Sequence, residues 1–296
     1  MNVIAKPADT RSVLRDALRA VSDMQEQLAA AERVRHEAIA IIGIGCRFPG
    51  GVDGPDALWQ LLLDRIDAIR EVPASRWTRE DYAALDPDEV RANAAHYGGF
   101  LDGVDQFDPH FFGIAPREAV TMDPQHRLVL EVCWEALERA GQAADRLRGS
   151  LTGVFVGITS NDYATHLRLT DPSCLDVYSA SGNVHNSAAG RVSYLLGLHG
   201  PSMAIDTACS ASLTAIHLAC QSLRLGESDL ALAGGVNSIL TPDALVSFNK
   251  RGLMAANGRC KTFDEAAEGS CAPRAAACSP SSGCRMPWRL TIRSWR

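Results

Sequence analysis

The feature that most restricts the fold is a set of short apolar runs separated by amphipathic helical patterns. Runs at residues 38–45, 153–158 and 229–236 are rich in Ile, Val, Leu and Ala and carry glycine near their ends. Runs of this length and composition are typical of strands buried on both faces. Helical periodicity lies between them, at residues 56–69, 124–140, 186–196 and 210–225. Alternating strands and helices predict an α/β layered fold with a largely parallel sheet.

Composition excludes several classes of protein. The chain has 296 residues, 46% of them hydrophobic, which is enough for one large core or two smaller ones. A net charge of −6 does not indicate a nucleic-acid-binding surface. No stretch approaches the roughly 20 apolar residues of a membrane span, and the N-terminus is no secretory signal. Nine cysteines without a C-x-x-C pair argue against disulfides or zinc. We expect a cytoplasmic protein that binds no metal, nucleic acid or membrane.

Residues 10–36 predict one helix with a heptad seam. Its apolar positions recur at alternating steps of three and four: Leu14, Ala17, Val21, Met24, Leu28 and Ala31. A lone helix with so narrow a seam is marginal in water. A two-stranded coiled coil with a second copy would bury the seam and is the favoured interpretation. The alternative is a surface helix that lies on the domain behind it.

Cys209 is the candidate nucleophile. A short strand, residues 202–205, runs through small residues into the helix at 210–225, and Cys209 lies at the turn between them. Small neighbours leave the sulfur accessible, as in a nucleophile elbow. The helix dipole and free backbone N–H groups favour the thiolate, which is the species that attacks a thioester. The competing interpretation is a buried structural cysteine, because cysteine is among the most buried residue types.

His185 and His199 have no spacing that forces contact with the sulfur, and we interpret both as structural residues. His217 follows Cys209 on the same helix, too far along it to touch the sulfur, and we expect it to be packed or on the surface.

Residues 206–213, Asp-Thr-Ala-Cys-Ser-Ala-Ser-Leu, resemble the active-site motif of the ketosynthases of type I modular polyketide synthases. Further matching segments follow the family's order: residues 39–51, 98–101, 107–119, 122–125, 189–194 and 258–264. The resemblance covers residues 38–269. It implies a thiolase-like fold and a β-ketoacyl synthase, in which Cys209 accepts an acyl chain from an acyl carrier protein. A decarboxylative Claisen condensation with a malonyl-type extender would follow.

The resemblance also implies partners and boundaries. Phosphopantetheine arms of acyl carrier proteins would deliver both substrates, and no cofactor is bound directly. A homodimer is the family's usual state, and residues 1–36 would form a docking coiled coil for an upstream module. Cysteine rather than glutamine at position 209 favours an elongating domain. Residues 37–269 would be the N-terminal portion of the ketosynthase domain, which makes the thiolase-like fold incomplete.

Other features leave alternatives open. The family's two downstream histidine motifs and its later oxyanion loop do not occur in this sequence. A truncated, non-catalytic fragment that acts at most in docking or dimerisation is therefore a second interpretation. A thiolase or a fatty-acid ketosynthase is a third, and the N-terminal helix and the loop at residues 46–51 argue against both.

The tail at residues 270–296 differs from the rest of the chain in composition and periodicity. It holds five arginines, no Asp or Glu and three of the nine cysteines, without a clean helical or strand period. Back-translation of residues 270–279, read two bases out of register, permits Val-Arg-Ala-Glu-Gly-Cys-Gly-Val-Leu, which is close to the family's continuation. A frameshift is the predicted origin of the tail, and its cysteines then have no functional meaning.

Overall fold

The computed structural model describes residues 10–35, 37–85, 96–170, 172–255, 257–267 and 289–294. The α-helices are α1 Thr10–Arg35, α2 Pro55–Leu63, α3 Arg79–Leu85, α4 Pro116–Thr121, α5 Pro124–Arg139, α6 Asp162–Thr170, α7 Val177–Gly182, α8 Asn186–Leu196, α9 Ala211–Leu225 and α10 Asp243–Lys250. The strands are β1 Ile39–Gly45, β2 Arg70–Glu71, β3 Tyr97–Gly98, β4 Thr152–Gly157, β5 Ser202–Ile205, β6 Leu230–Gly235 and β7 Arg289–Ser294. Short 3₁₀ turns lie at Ala144–Leu147, Pro172–Cys174 and Ala208–Ser210.

The main sheet has the strand order β1-β7-β6-β4-β5. β4 pairs in parallel with both β5 and β6, whereas β7 pairs antiparallel with both β1 and β6. Strands β1, β4, β5 and β6 therefore point the same way and β7 points the opposite way. The largely parallel sheet predicted from the alternating pattern is confirmed. β2 and β3 form a separate two-stranded sheet.

Helices cover both faces of the sheet. Successive side chains of a strand point to opposite faces, so a strand that is apolar throughout presents apolar side chains on both faces. Val154 and Val156 of β4 lie in a core cluster with residues of α5 and α8. Phe155, between them, lies in another cluster with residues of α9. Both β4 and β6 are buried at every position. The result is a helix–sheet–helix sandwich with β4 and β6 at its centre.

The structure differs from the sequence prediction at three elements. β1 is an edge strand with Ile41 56% exposed, so it is not buried on both faces. The helix predicted for residues 56–69 ends at Leu63, because Arg65 takes a left-handed conformation with φ 53°. β7 lies in the tail, where the sequence analysis predicted no strand. Residues 289–293 do alternate polar and apolar (Arg-Leu-Thr-Ile-Arg), but this run is short, and it is the backbone pairing with the strands on both sides that defines β7.

Helix α1 confirms the predicted N-terminal helix, and its apolar side chains face solvent. Each is between 47% and 63% exposed: Val13, Leu14, Leu18, Val21, Met24 and Leu28. The described part of the chain therefore leaves four seam residues uncovered: Leu14, Val21, Met24 and Leu28. Among the described helices, none combines the length and apolar character needed to cross a membrane.

Candidate active site

Cys209 lies where the sequence predicts, on the turn between a strand and a helix. β5 ends at Ile205, a 3₁₀ turn spans Ala208–Ser210, and α9 begins at Ala211. β5 is parallel to β4 and β6, so the turn lies at the edge of the sheet where their carboxyl ends meet. Ligand and active sites of α/β sheets commonly occupy this edge.

Cys209 is the exposed thiol among the cysteines whose side chains the structure describes. Cys46 and Cys133 are buried, and Cys220 and Cys260 are partly buried. Burial raises the pKa of Cys46 to about 11 and also raises the pKa of Cys220. Both thiols therefore hold less of the reactive thiolate at neutral pH than an ordinary cysteine. The exposure of Cys209 does not fit the alternative of a buried structural cysteine.

The residue before Cys209 has an uncommon backbone conformation. Ala208 has φ 53°, in the left-handed region that non-glycine residues seldom adopt. Its N–H donates to Oδ1 of Asp206 at 2.9 Å. The same oxygen accepts a bond from Oγ1 of Thr159 at 2.7 Å. The turn is thus tied to the loop that follows β4.

Hydroxyl groups fix the other side of the turn. Oγ of Ser210 donates to the carbonyl oxygen of Thr207 at 2.9 Å and lies 2.9 Å from its Oγ1. Oγ1 of Thr207 also lies 3.1 Å from Oγ1 of Thr214 in the first turn of α9. Residues on both sides of Cys209 are therefore bonded to one another and to α9.

Gly157, at the end of β4, allows α9 to approach the sheet closely. An ideal Cβ built on Gly157 would lie 2.6 Å from the carbonyl carbon of Ala211 and 2.6 Å from the nitrogen of Ser212. Such distances are far shorter than carbon–carbon contact. The first turn of α9, which follows Cys209, is therefore set directly against the backbone of β4.

A buried polar network lies beside this turn, and the sequence analysis did not identify it. Nε2 of Gln125 donates to the carbonyl oxygen of Ser160 at 2.9 Å. Oγ of Ser160 lies 3.2 Å from Oε1 of Gln125 and 3.0 Å from Oδ1 of Asn237. The backbone N–H of Ser238 donates to Oε1 of Gln125 at 3.2 Å. The network ties the start of α5 to the segments that follow β4 and β6. The only sequence signal for its members is the motif match at residues 122–125.

Two carboxyl groups of this region are buried. Burial raises the pKa of Asp123 to about 6, against the opposing effect of hydrogen bonds from Gln125. Burial also raises the pKa of Asp162, which accepts backbone bonds from Leu240 and Thr241. Asp123 caps the N-terminus of α5. Its burial therefore serves a structural role, although burial disfavours the charged form of the carboxyl group.

The histidines do not join Cys209. His199 and His217 are exposed, and His185 is half-buried just before α8. None of the hydrogen bonds found among the described residues connects a histidine to the sulfur. Within the same residues, no group of three or more His, Cys, Asp or Glu side chains is arranged to hold a metal ion.

Comparison with known families decides the classification. Residues 36–278 match the family model described as the β-ketoacyl synthase, N-terminal domain. The chain belongs to this family. The resemblance to polyketide synthase ketosynthases, drawn above from motifs, is confirmed.

Curated relatives of this ketosynthase portion include components of polyketide synthases. One component of the phenolphthiocerol/phthiocerol polyketide synthase of Mycobacterium tuberculosis (strain CDC 1551 / Oshkosh) is 52% identical over 233 residues. Another component of that synthase, from the same strain, is also 52% identical over 233 residues. Each alignment covers 79% of this chain but only 13% of the first relative and 15% of the second. The chain thus spans a small part of the curated relatives that it matches.

Solved structures show the same fold. The ketosynthase from module 6 of the bacillaene synthase of Bacillus subtilis 168 superposes with a TM-score of 0.70 at 37% identity. An oxazolomycin ketosynthase domain from Streptomyces albus JA3453 gives 0.73 at 35% identity. These matches cover 87% and 86% of this chain and 40% and 42% of the known structures. The ketosynthase portion therefore has the predicted thiolase-like α/β fold.

Proposed function

We propose that this chain is the N-terminal portion of an elongating polyketide ketosynthase, and that Cys209 is its acyl-accepting nucleophile. The observation that carries the proposal is the exposed thiol of Cys209 on the strand-to-helix turn, inside the segment that matches the family model. Its sulfur is open to a substrate while the other described cysteines are buried or partly buried. The proposed enzyme is an acyltransferase of the 3-oxoacyl-[acyl-carrier-protein] synthase type.

In the loading step, the thiolate of Cys209 attacks the carbonyl carbon of an acyl thioester on the phosphopantetheine arm of an acyl carrier protein. A tetrahedral intermediate forms, and the bond from carbon to the carrier sulfur then breaks. The carrier thiolate leaves and takes a proton from solvent. The product is an acyl thioester on Cys209, held at the edge of the sheet.

In the condensation step, a malonyl-type extender on a carrier protein loses CO₂, and the electron pair of the broken C–C bond forms a carbanion. That carbon attacks the acyl carbonyl on Cys209, a new C–C bond forms, and the Cys209 thiolate leaves. Groups that stabilise the developing negative charges contribute strongly to such steps. We assign the loading chemistry to the residues described above and condensation to the enzyme as a whole.

We propose a homodimer formed in part through β5. β5 is the last strand of the sheet and pairs only with β4 among the described strands. Ser202 and Met203 are exposed, with Met203 at 40%. An open strand edge offers unpaired N–H and C=O groups to a further strand. A second copy that paired with β5 would continue the sheet and cover this edge.

A second candidate function, a docking module, is favoured by α1. Its exposed apolar seam, defined by Leu14, Val21 and Leu28 with their neighbours, is suited to a partner helix. We propose that residues 1–36 pair with a second copy and present a docking surface to an upstream synthase module. This function does not require the thiol of Cys209.

Loading is tested by acylation of the purified chain. We expect incubation with an acyl thioester of N-acetylcysteamine to add one acyl group, detected by intact mass spectrometry. Cys209→Ala lowers the adduct about a hundredfold, because the nucleophile is gone. Cys220→Ala, which removes a partly buried thiol, keeps it. An adduct that survives in Cys209→Ala, or no adduct on folded parent protein, would contradict the assignment.

Pairing of α1 is tested by oxidative cross-linking in the Cys209→Ala background. Leu28→Cys lies on the seam, so two copies would place their thiols together, at a high effective concentration. We expect disulfide-linked dimer to form at least about tenfold faster than in Gln27→Cys, whose side chain lies off the seam. Equal rates for the two variants would rule out a parallel, in-register coiled coil.

A further inference from the structure

We infer that Thr159 is a positioning residue for Cys209. It holds the Asp206 carboxylate, which in turn fixes Ala208 in its left-handed conformation next to the nucleophile. The inference rests on the proposed role of Cys209 and names a residue outside the motif that contains it.

The starting point is the backbone at Ala208. A side chain at φ 53° crowds the neighbouring carbonyl oxygen, so an alanine stays there only where its surroundings hold it. The N–H of Ala208 donates to Oδ1 of Asp206 at 2.9 Å. That bond closes the turn over the residue directly before Cys209. The direction of the sulfur therefore depends on where the Asp206 carboxylate sits.

The Asp206 side chain is exposed, so packing does not enclose it. The position of an exposed carboxylate is set by its hydrogen bonds rather than by packing. Oγ1 of Thr159 donates to the same Oδ1 atom at 2.7 Å. A hydrogen bond to a charged acceptor is stronger than one between neutral groups. Thr159 thus holds the oxygen that Ala208 uses.

Thr159 is itself well anchored. It follows β4 after a single intervening residue and precedes Ser160, a member of the buried network. Ser160 is bonded to Gln125 and Asn237 through its side chain, and to Gln125 again through its carbonyl oxygen. The hydroxyl of Thr159 therefore reaches Asp206 from a fixed piece of backbone. This chain of bonds connects the buried network to the turn that carries Cys209.

The test measures how fast iodoacetamide alkylates Cys209, followed by mass spectrometry of the peptide that contains it. Alkylation needs no acyl transfer, so its outcome is separate from that of the acylation experiment. We expect Thr159→Val to slow alkylation of Cys209 about fivefold, because the turn is released from its strained conformation. Thr159→Ser, which restores the hydroxyl, returns the rate to within about twofold of the parent.

Thr170→Val is the matched control, since the hydroxyl it removes donates to the carbonyl oxygen of His166 within α6, away from the turn of Cys209. Its alkylation rate should equal that of the parent. The inference is overturned if Thr159→Val reacts as fast as the parent, or if Thr159→Ser is as slow as Thr159→Val.

A second arm tests the route through Ala208. Glycine adopts φ 53° without strain, so Ala208→Gly makes the turn less dependent on the Asp206 carboxylate. We expect Thr159→Val to slow alkylation less than about twofold in the Ala208→Gly background. A full fivefold effect in that background would show that Thr159 does not act through Ala208 and would overturn the inference.

Discussion

Gly157→Val should lower the free energy of unfolding by about 3 kcal/mol. The atoms that its Cβ would meet, at 2.6 Å, belong to the backbone of Ala211 and Ser212. Backbone atoms cannot rotate away as a flexible side chain can, so α9 has to move off β4. Urea unfolding followed by circular dichroism measures the change. Because α9 carries the turn of Cys209, the acyl adduct on this residue should fall as well.

Gly190→Ala is a control that also adds a side chain to a glycine, and its expected effect on the free energy of unfolding is opposite. Gly190 lies inside α8, and a Cβ there meets no atom within 4 Å among the described residues. Alanine in a helix is more favourable than glycine by about 0.5–1 kcal/mol. The variant should therefore be slightly more stable than the parent. A Gly157→Val protein within about 1 kcal/mol of the parent would contradict the close approach of α9 to β4.

The parent chain should become less stable as the pH rises because Asp123 ionises, and Asp123→Asn should abolish this pH dependence. The pKa of Asp123 is about 6 in the folded chain, raised by burial, against about 4 in an unfolded chain. Between these values the unfolded state releases its proton first, so the free energy of unfolding of the parent falls with increasing pH. The loss is absent below about pH 4, is complete above about pH 6 and amounts to about 3 kcal/mol.

Asparagine keeps an oxygen that can accept from the backbone N–H of Gln125, and it cannot ionise. We expect the difference in stability between Asp123→Asn and the parent to grow by about 3 kcal/mol in favour of the variant from pH 4 to pH 7. Changes in hydrogen bonding add only an offset that does not vary with pH. Denaturant titrations at several pH values measure the difference, with Asp56→Asn at an exposed position as the control. Parallel curves for parent and Asp123→Asn would refute the prediction.

Local sequence patterns predicted many of the strands and helices, because such patterns depend on residues that are close together in the sequence. The strand at residues 202–205, the helix after it and the position of Cys209 all follow from periodicity and small residues within one short segment. The bond from Thr159 to Asp206 and the contact between Ser160 and Asn237 join residues 47 and 77 positions apart. No periodic pattern within a segment encodes such pairs. Only the order of the strands brings them together.

The tail shows the same limit. Pairing with β1 and β6 places residues 289–294 in the sheet, although the sequence analysis predicted no strand there; the short alternation at 289–293 does not identify the strands it pairs with. The three tail cysteines at positions 271, 278 and 284 lie outside the described residues. The frameshift, and the boundaries placed at residues 36 and 269, stay predictions. Resequencing the underlying DNA decides between a frameshift and a genuine tail.

The place of β7 in the sheet has a consequence for the order of events during synthesis. Within the sheet, β1 is joined to the other strands only through β7 among the described residues, and Ile39 pairs with Ser294. At roughly 5–20 residues per second, a ribosome needs on the order of tens of seconds to reach β7 after it has made β1. Over that interval β1 remains without its strand partner, whereas β4, β5 and β6 are all made before β7 and are able to pair before it appears. The strand made first is therefore the last to enter the sheet.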